Sequence, residues 1–372
     1  MKLSNTLSAH LKSPDVAPAD YVRIKHLEFA DSLADRRKIY LDTRYWVLFR
    51  DVLLGRTQDK DLHALLDFIR SEVSEGRAVC PLSEPIFSEV FTQQDPITLT
   101  KTVELIDELS LGACFTEIMN RHHMEAWHFL SKMAFGEDSV FSTNQLVWTR
   151  CGYVLGNVTP RFDNMPADIA IATEKAFFDQ LWITTLADMH SFLGSCPEWK
   201  KGSDVIAEMN QGKIEHENDF GSFKQLFVHE LRGLVDCLLP TYRSAWEQMN
   251  SKYPGELPLE VNPDDTQPEN ALASLIIGGF EKNRFTVEFP TIRVHALLHA
   301  GFRWDKKRKY KINDLPDLRH AAMAIPYCDT FLTEGPLCSL VNDGNLKLKD
   351  LFNCRTFSDH AKALNHFREN GK

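Results

Sequence analysis

Four carboxylates stand where their spacing could support chemistry. Asp42 closes the run KIYLD, Glu89 lies within SEPIFSEVF, Asp317 opens DLRHAAMAI, and Glu334 follows DTFLT. Packed together, such groups repel and raise one another's pKa unless a divalent cation neutralises them. Hard oxygen donors favour Mg²⁺ or Mn²⁺, ions that activate water and stabilise the leaving oxygen in phosphoryl chemistry. Each acid also has a plain structural role open to it. Asp42 could cap the next helix, Asp317 could complement a helix dipole, Glu334 could sit on a loop, and Glu89 could be an exposed helix residue with Glu84 as its competitor. Asp329 starts a strand and reads as structural. Thr43 and Thr333, beside Asp42 and Glu334, could bond a phosphate or a water, or serve turns.

A second constellation is basic. Arg303, Lys306, Lys307, Arg308, Lys309 and Lys311 share a stretch with Asp305, Trp304 and Tyr310, giving net +5 over 303–311. Cations beside aromatics suit a single-stranded backbone with stacked bases, and a solvated face is the competing reading. Histidines 122, 123 and 128 share one helix, and His295 and His299 stand four residues apart on another. No HExxH motif occurs, so these read as poor metal ligands. Arg121 before His128, and Arg293 before His299, also fit the permissive R-x4–6-H pattern of HEPN ribonucleases.

The elements that must position the acids read as α/β. KIYLD (38–42) is a short strand, and TRYWVLFRDVLLG repeats its apolar residues at helical spacing up to Gly55. A second helix carries Leu62, Leu65, Leu66, Phe68 and Ile69. RAVCPLS is a strand, and Ser83 caps the helix that follows. This order implies a parallel sheet, whose ligands gather outside the carboxyl ends of the strands. Helical segments then dominate at 97–110, 115–134, 167–193 and 221–250. Residues 137–166 are weakly periodic, and the proline-rich 251–270 reads as an extended loop. After 285 come a helix over 290–302, the helix LPDLRHAAMAI, the strand DTFLT, the short helix PLCSLVND, the strand LKLKDLFNC and a closing helix at 357–370.

The 372 residues carry 42 Lys and Arg against 52 Asp and Glu, with hydrophobic content of 43%. That is ordinary for a globular chain and excludes disordered or collagen-like classes. A net charge of −10 argues against coating nucleic acid by bulk charge. The imbalance is local, however: residues 204–270 hold 13 acids and 5 bases. The eight cysteines include no CxxC pair, so a zinc knuckle is not expected. The N-terminus lacks an apolar signal core, and the longest apolar run, Leu272 to Phe280, is too short to span a membrane. A cytoplasmic protein without membrane association is expected.

At the acids the sequence resembles the PIN-domain nucleases. Leu41-Asp42-Thr43 matches the strand-ending Asp of that family, and Ser83 to Glu89 matches its serine followed six residues later by an acid. Asp317-Leu-Arg-His320-Ala-Ala matches its third acid, and Thr333-Glu334 closes the block NDLPDLRHAAMAIPYCDTFLTE. Glu334 stands one residue earlier than the acid of the usual T-x-D pattern. The resemblance covers residues 37–96 and 285–355.

It implies a PIN-like three-layer α/β/α core with a parallel sheet, interrupted by a large helical insertion. The expected divisions are an N-terminal extension (1–36), the first part of the core (37–96), the insertion (97–284) and the second part of the core (285–372). The implied activity is a metal-dependent endonuclease, acting on RNA rather than DNA. Its Mg²⁺ or Mn²⁺ would be held by Asp42, Glu89, Asp317 and Glu334. The insertion could bind a protein partner or a second copy. The alternative is a catalytically weak PIN-like interaction or regulatory module.

Overall fold

β1 (Arg37–Leu41) runs parallel to β2 (Ala78–Val79) in the computed structural model, with Arg37 opposite Ala78 and Lys38 opposite Val79. The structure describes residues 3–13, 15–137, 140–160, 165–194, 203–257, 268–285 and 287–370. Parallel strands cannot be joined by a tight hairpin, and helices Thr43–Leu53 and Lys60–Ser74 make the crossover. Asp59 starts the second of these by accepting the N–H groups of Asp61 and Leu62. Its residues Leu62, Leu65, Leu66 and Ile69 turn to the core, together with Ile39, Tyr40 and Leu41 of β1.

By contact density the chain divides into two compact units. The first comprises Met1–Glu117, Asn144–Pro197 and Asp359–Lys372; the second comprises Ile118–Thr143 and Glu198–Ser358. In the first unit, β3 (Ala113–Phe115) and β4 (Trp148–Arg150) form an antiparallel pair, and Leu82 bridges to Cys114. Residues before β1 form a real element there. Helix Pro18–Leu33 packs on helix Ala167–Trp182, and Asp179 accepts from the Tyr21 hydroxyl at 2.7 Å and pairs with His10 at 2.7 Å. Lys175 ties down the preceding arm through the carbonyls of Ser13 and Val16.

The second unit holds the other parallel pair, β5 (Thr330–Leu332) with β6 (Arg355–Phe357). Helix Pro290–Trp304 packs on helices Phe223–Cys237 and Asp314–Tyr327. Leu231, Val235, Tyr242, Met249, Leu272 and Ile276 form a core beside them, joined by Phe129 and Phe289. The chain is thus mixed α/β and mostly helical, with parallel strands. Among the described residues no helix is long and apolar enough to cross a membrane.

Several elements depart from the sequence reading. LKLKDLFNC is not a strand: Lys347 adopts φ 51°, helix Leu348–Leu351 follows, and β6 begins only at Arg355. The Leu/Lys alternation that resembles a strand instead buries Leu346 and Leu348 from a turn. The helix expected over 167–193 stops at Trp182 and restarts at Leu186, where Thr185 and Asp188 form a capping box. The helix expected over 221–250 breaks between Cys237 and Leu239, with Pro240 in the new first turn. The 137–166 stretch contains β4, and helix Ser203–Glu215 went unread. Residues 258–267 of the expected loop lie outside the described residues, and helix Pro268–Glu281 begins directly after them.

Close packing within helix Pro268–Glu281 yields a paired test. A Cβ on Gly279 would run into the Phe285 ring, whereas one on Gly278 meets nothing within 4 Å. Phe285 is held by Phe280 and Phe129 at centroid distances of 5.3 and 5.4 Å, so it cannot step aside freely. In urea titrations Gly279→Ala should lose about 1–3 kcal/mol by overpacking. Gly278→Ala should be neutral or gain up to about 1 kcal/mol from helix propensity.

Candidate functional site

In the first unit, Asp42 follows β1 directly and caps helix Thr43–Leu53. Its side chain is 5% exposed, and Oδ1 accepts the Tyr45 N–H at 3.2 Å. The helix then buries Tyr45, Trp46 and Phe49, which fixes the turn at Asp42. Thr43 is half-buried, and its Oγ1 is enclosed with no partner among the described residues. After β2 the chain reaches Ser83, fully buried and bonded to the Tyr40 hydroxyl at 2.7 Å. Helix Glu84–Val90 follows, burying Ile86, Phe87 and Val90 and leaving Glu84 and Glu89 half-exposed. The six-residue step from Ser83 to Glu89 therefore places Glu89 on the less buried side of this helix.

In the second unit, Asp317 occupies the first turn of helix Asp314–Tyr327 and is half-exposed, while Leu318, His320, Ala321 and Ala322 pack inward. That helix packs on β5. Thr333 continues β5 by donating its N–H to the Phe357 carbonyl at 2.9 Å. Its side chain is fully buried, and Oγ1 has no partner among the described residues. Glu334 stands at the N-cap of helix Gly335–Val341 and makes no cap hydrogen bond, unlike Asp42. Asp329 is exposed, and its carbonyl accepts the Arg355 N–H at the edge of the β5–β6 ladder. Asp42 and Glu89 thus belong to one unit, and Asp317 and Glu334 to the other. Among the described residues no group of three or more His, Cys, Asp and Glu is placed to hold a metal ion.

The basic stretch is only partly available to a ligand. Arg303 pairs with Glu230 and lies over the Phe220 ring. Lys306 reaches Asn218 at 3.1 Å and Glu217 at 3.5 Å. Arg308 stacks on Phe302 at 3.8 Å and approaches Asp314. Lys307, Lys309 and Lys311 are exposed and make no ion pair among the described residues. Tyr310, expected as a stacking partner for bases, is buried: it stacks on Phe302 at 4.5 Å, and its backbone bonds the Asn210 amide in both directions. Trp304 remains 40% exposed.

What holds this turn is a residue the sequence did not point to. Lys213, buried on helix Ser203–Glu215, donates to the carbonyls of Phe302, Asp305 and Arg308. It gathers carbonyls from the last turn of helix Pro290–Trp304 and from the turn that follows it. Burial lowers its pKa, and the charges of Asp305 and Glu217 act against that lowering.

A buried polar network in the second unit also went unread. Glu125, 1% exposed, accepts the Thr291 N–H at 3.1 Å and the Tyr327 hydroxyl at 2.5 Å, both at Oε1. Burial pushes its pKa up, against those two bonds and the charge of Arg121. Nearby His122 is held down to about 3 by burial and then by Arg121. His295 is held well below its usual range by burial and by the His299 and His122 charges. These histidines are neutral at pH 7, which removes them from acid–base work there. Arg121 and Arg293 of the R-x4–6-H patterns are themselves buried.

The chain matches no protein-family model, no curated protein and no solved structure. Its functional reading therefore stands on its own residues.

The buried His122 sets a pH dependence. Its folded pKa lies below the unfolded value of about 6.5, so the unfolded chain takes up the proton first as pH falls. Stability from this group is complete above about pH 6.5 and is lost progressively toward pH 3. By pH 5 the loss should be on the order of 2 kcal/mol. His122→Leu should remove that part of the slope when urea midpoints are compared at pH 7.5 and pH 5.

Proposed function

We propose that the protein is a metal-dependent endonuclease acting on RNA, with Asp42 and Glu89 in the first unit and Asp317 and Glu334 in the second as its metal-holding carboxylates. One observation carries the reading. Each parallel strand pair ends in an acid adjoining a threonine whose enclosed hydroxyl has no partner among the described residues: Asp42 with Thr43, and Thr333 with Glu334. Buried hydroxyls are ordinarily hydrogen-bonded, and a phosphate oxygen or an ordered water beside the carboxylate would satisfy both.

The donor set is entirely oxygen, which suits Mg²⁺ or Mn²⁺. Mg²⁺ in such enzymes is held by one or two carboxylates, completing its shell with water and substrate phosphate. When bound, the cation would lower the pKa of water and offset charge on the phosphate. The chain would supply the carboxylates that hold it and two threonine hydroxyls that orient oxygen atoms. Lys307, Lys309 and Lys311 would draw in a single strand, with Trp304 as a stacking face. RNA is favoured over DNA by the PIN-like motif and by that basic, aromatic stretch.

A second reading is a catalytically weak PIN-like module that binds a protein partner or a second copy through its helical segment. Its support is Asp42, already engaged as the cap of its helix.

A Mn²⁺-dependent cleavage assay on single-stranded RNA and DNA tests the choice. Asp42→Asn and Asp317→Asn should each lower the rate by about 100-fold or more, with folding checked by circular dichroism. Unchanged cleavage in both variants would sink the nuclease reading, and no cleavage by the wild type would favour the module. Replacing Lys307, Lys309 and Lys311 together by Ala should weaken RNA binding. It should also flatten the slope of log affinity on log salt by about 2, as expected for three lost phosphate contacts on a single strand.

A further inference from the structure

A cavity of about 340 Å³ lies wholly within the second unit, between helix Ile118–Phe135 and the segment entering helix Pro290–Trp304. That volume falls in the range of small-molecule sites, roughly 300–1,000 Å³. Its lining divides into two parts. Phe129, Val140, Val287 and Phe289 supply an apolar surface, and the Phe129 and Phe289 rings lie 5.0 Å apart. Glu125, Glu137 and Glu288 supply three carboxylates against one cation, Lys132, which already pairs with Glu137 and Glu288. His128 also lines the cavity; burial lowers its pKa, so it adds no charge at pH 7.

Glu125 is the carboxylate that Lys132 does not pair, and the Arg121 charge acts on it without bonding Oε2. Its Oε1 is fully used by Thr291 and Tyr327, whereas Oε2 is enclosed and has no partner among the described residues. The hydroxyl of Tyr242, also fully buried, is without a partner too, and the Glu125 charge is near enough to raise its pKa after burial has done so. Two orphaned polar atoms around one buried carboxylate are unusual in a folded interior. A buried carboxylate oxygen calls for a donor, and a positively charged donor makes the strongest such bond. Aromatic faces at the same cavity add a preference for a cation.

We propose that this cavity is a binding site for a small organic amine. The ammonium group donates to Glu125 Oε2, and the apolar body of the ligand lies against Phe129, Val287 and Phe289. This site is independent of the carboxylates assigned to nuclease chemistry.

Titration of the full chain with benzylamine, and with benzyl alcohol as its uncharged counterpart, tests the proposal by calorimetry or saturation-transfer NMR. Benzylamine should bind saturably at one site, about tenfold or more tighter than the alcohol. Glu125→Gln should abolish that difference. Because Glu125 is buried and this variant could fail to fold, Val287→Trp provides a second arm. Val287 is 68% exposed at the edge of the cavity. A tryptophan there should lower benzylamine affinity about tenfold by filling the space, with an unchanged thermal midpoint. The proposal is overturned by equal affinity for amine and alcohol, or by no saturable binding up to roughly 10 mM. Full binding retained by a folded Val287→Trp protein overturns it as well.

Discussion

A parallel strand cannot turn straight back on its neighbour; it must hand over to a crossover, and in this chain the crossover is helical. That constraint places Asp42 at the end of β1, where the peptide leaves the strand and helix Thr43–Leu53 begins. It places Glu334 at the corresponding turn after β5, one residue beyond Thr333, whose N–H still belongs to the strand ladder. Helix Asp314–Tyr327 leads into β5 and brings Asp317 to its opening turn, while its apolar side packs against that strand. The acids are therefore positioned by backbone connectivity, with the buried residues that follow them fixing each turn: Tyr45, Trp46 and Phe49 after Asp42, Leu318 and Ala321 after Asp317, and Leu337 and Leu340 after Glu334.

Desolvation governs the rest of the interior. Removing a charge from water is tolerated when it is hydrogen-bonded or paired, and costly when it is not. Lys213 meets this condition with three carbonyls, and so orders the turn that carries the basic stretch. Arg303 and Arg308 meet it with a carboxylate and an aromatic face each. His122 avoids the cost by remaining neutral. Glu125 meets it at one oxygen only.

The same principle explains which parts of the chain were legible beforehand. Helices whose buried faces repeat at 3.6 residues, such as Lys60–Ser74 with Leu62, Leu65, Leu66 and Ile69, follow from periodicity alone. β1 and β5 were legible as short apolar runs ending at acids. The alternation in LKLKDLFNC misled because a turn at Lys347 also exposes every second residue. Long helical stretches concealed their breaks at Thr185 and Pro240, where local capping and a missing N–H interrupt an otherwise continuous pattern. β3 and β4 are three residues each and lie in or beside stretches read as helical or weakly periodic.

By itself the sequence determined the helices with a clear apolar period, the two acid-ended strands, and the residue types able to hold a hard cation. Those are local properties, set by spacing along the chain and by what each side chain can donate or accept. Tertiary structure alone decided which charges are used up inside the protein. It buried Tyr310 against Phe302, engaged Arg303 and Arg308, and left Lys307, Lys309 and Lys311 exposed. It also brought Glu125, Tyr242, Thr291 and Tyr327 together from four separate segments. No spacing rule could reveal that meeting, because the free energy that joins those residues comes from burial shared among helices distant in sequence.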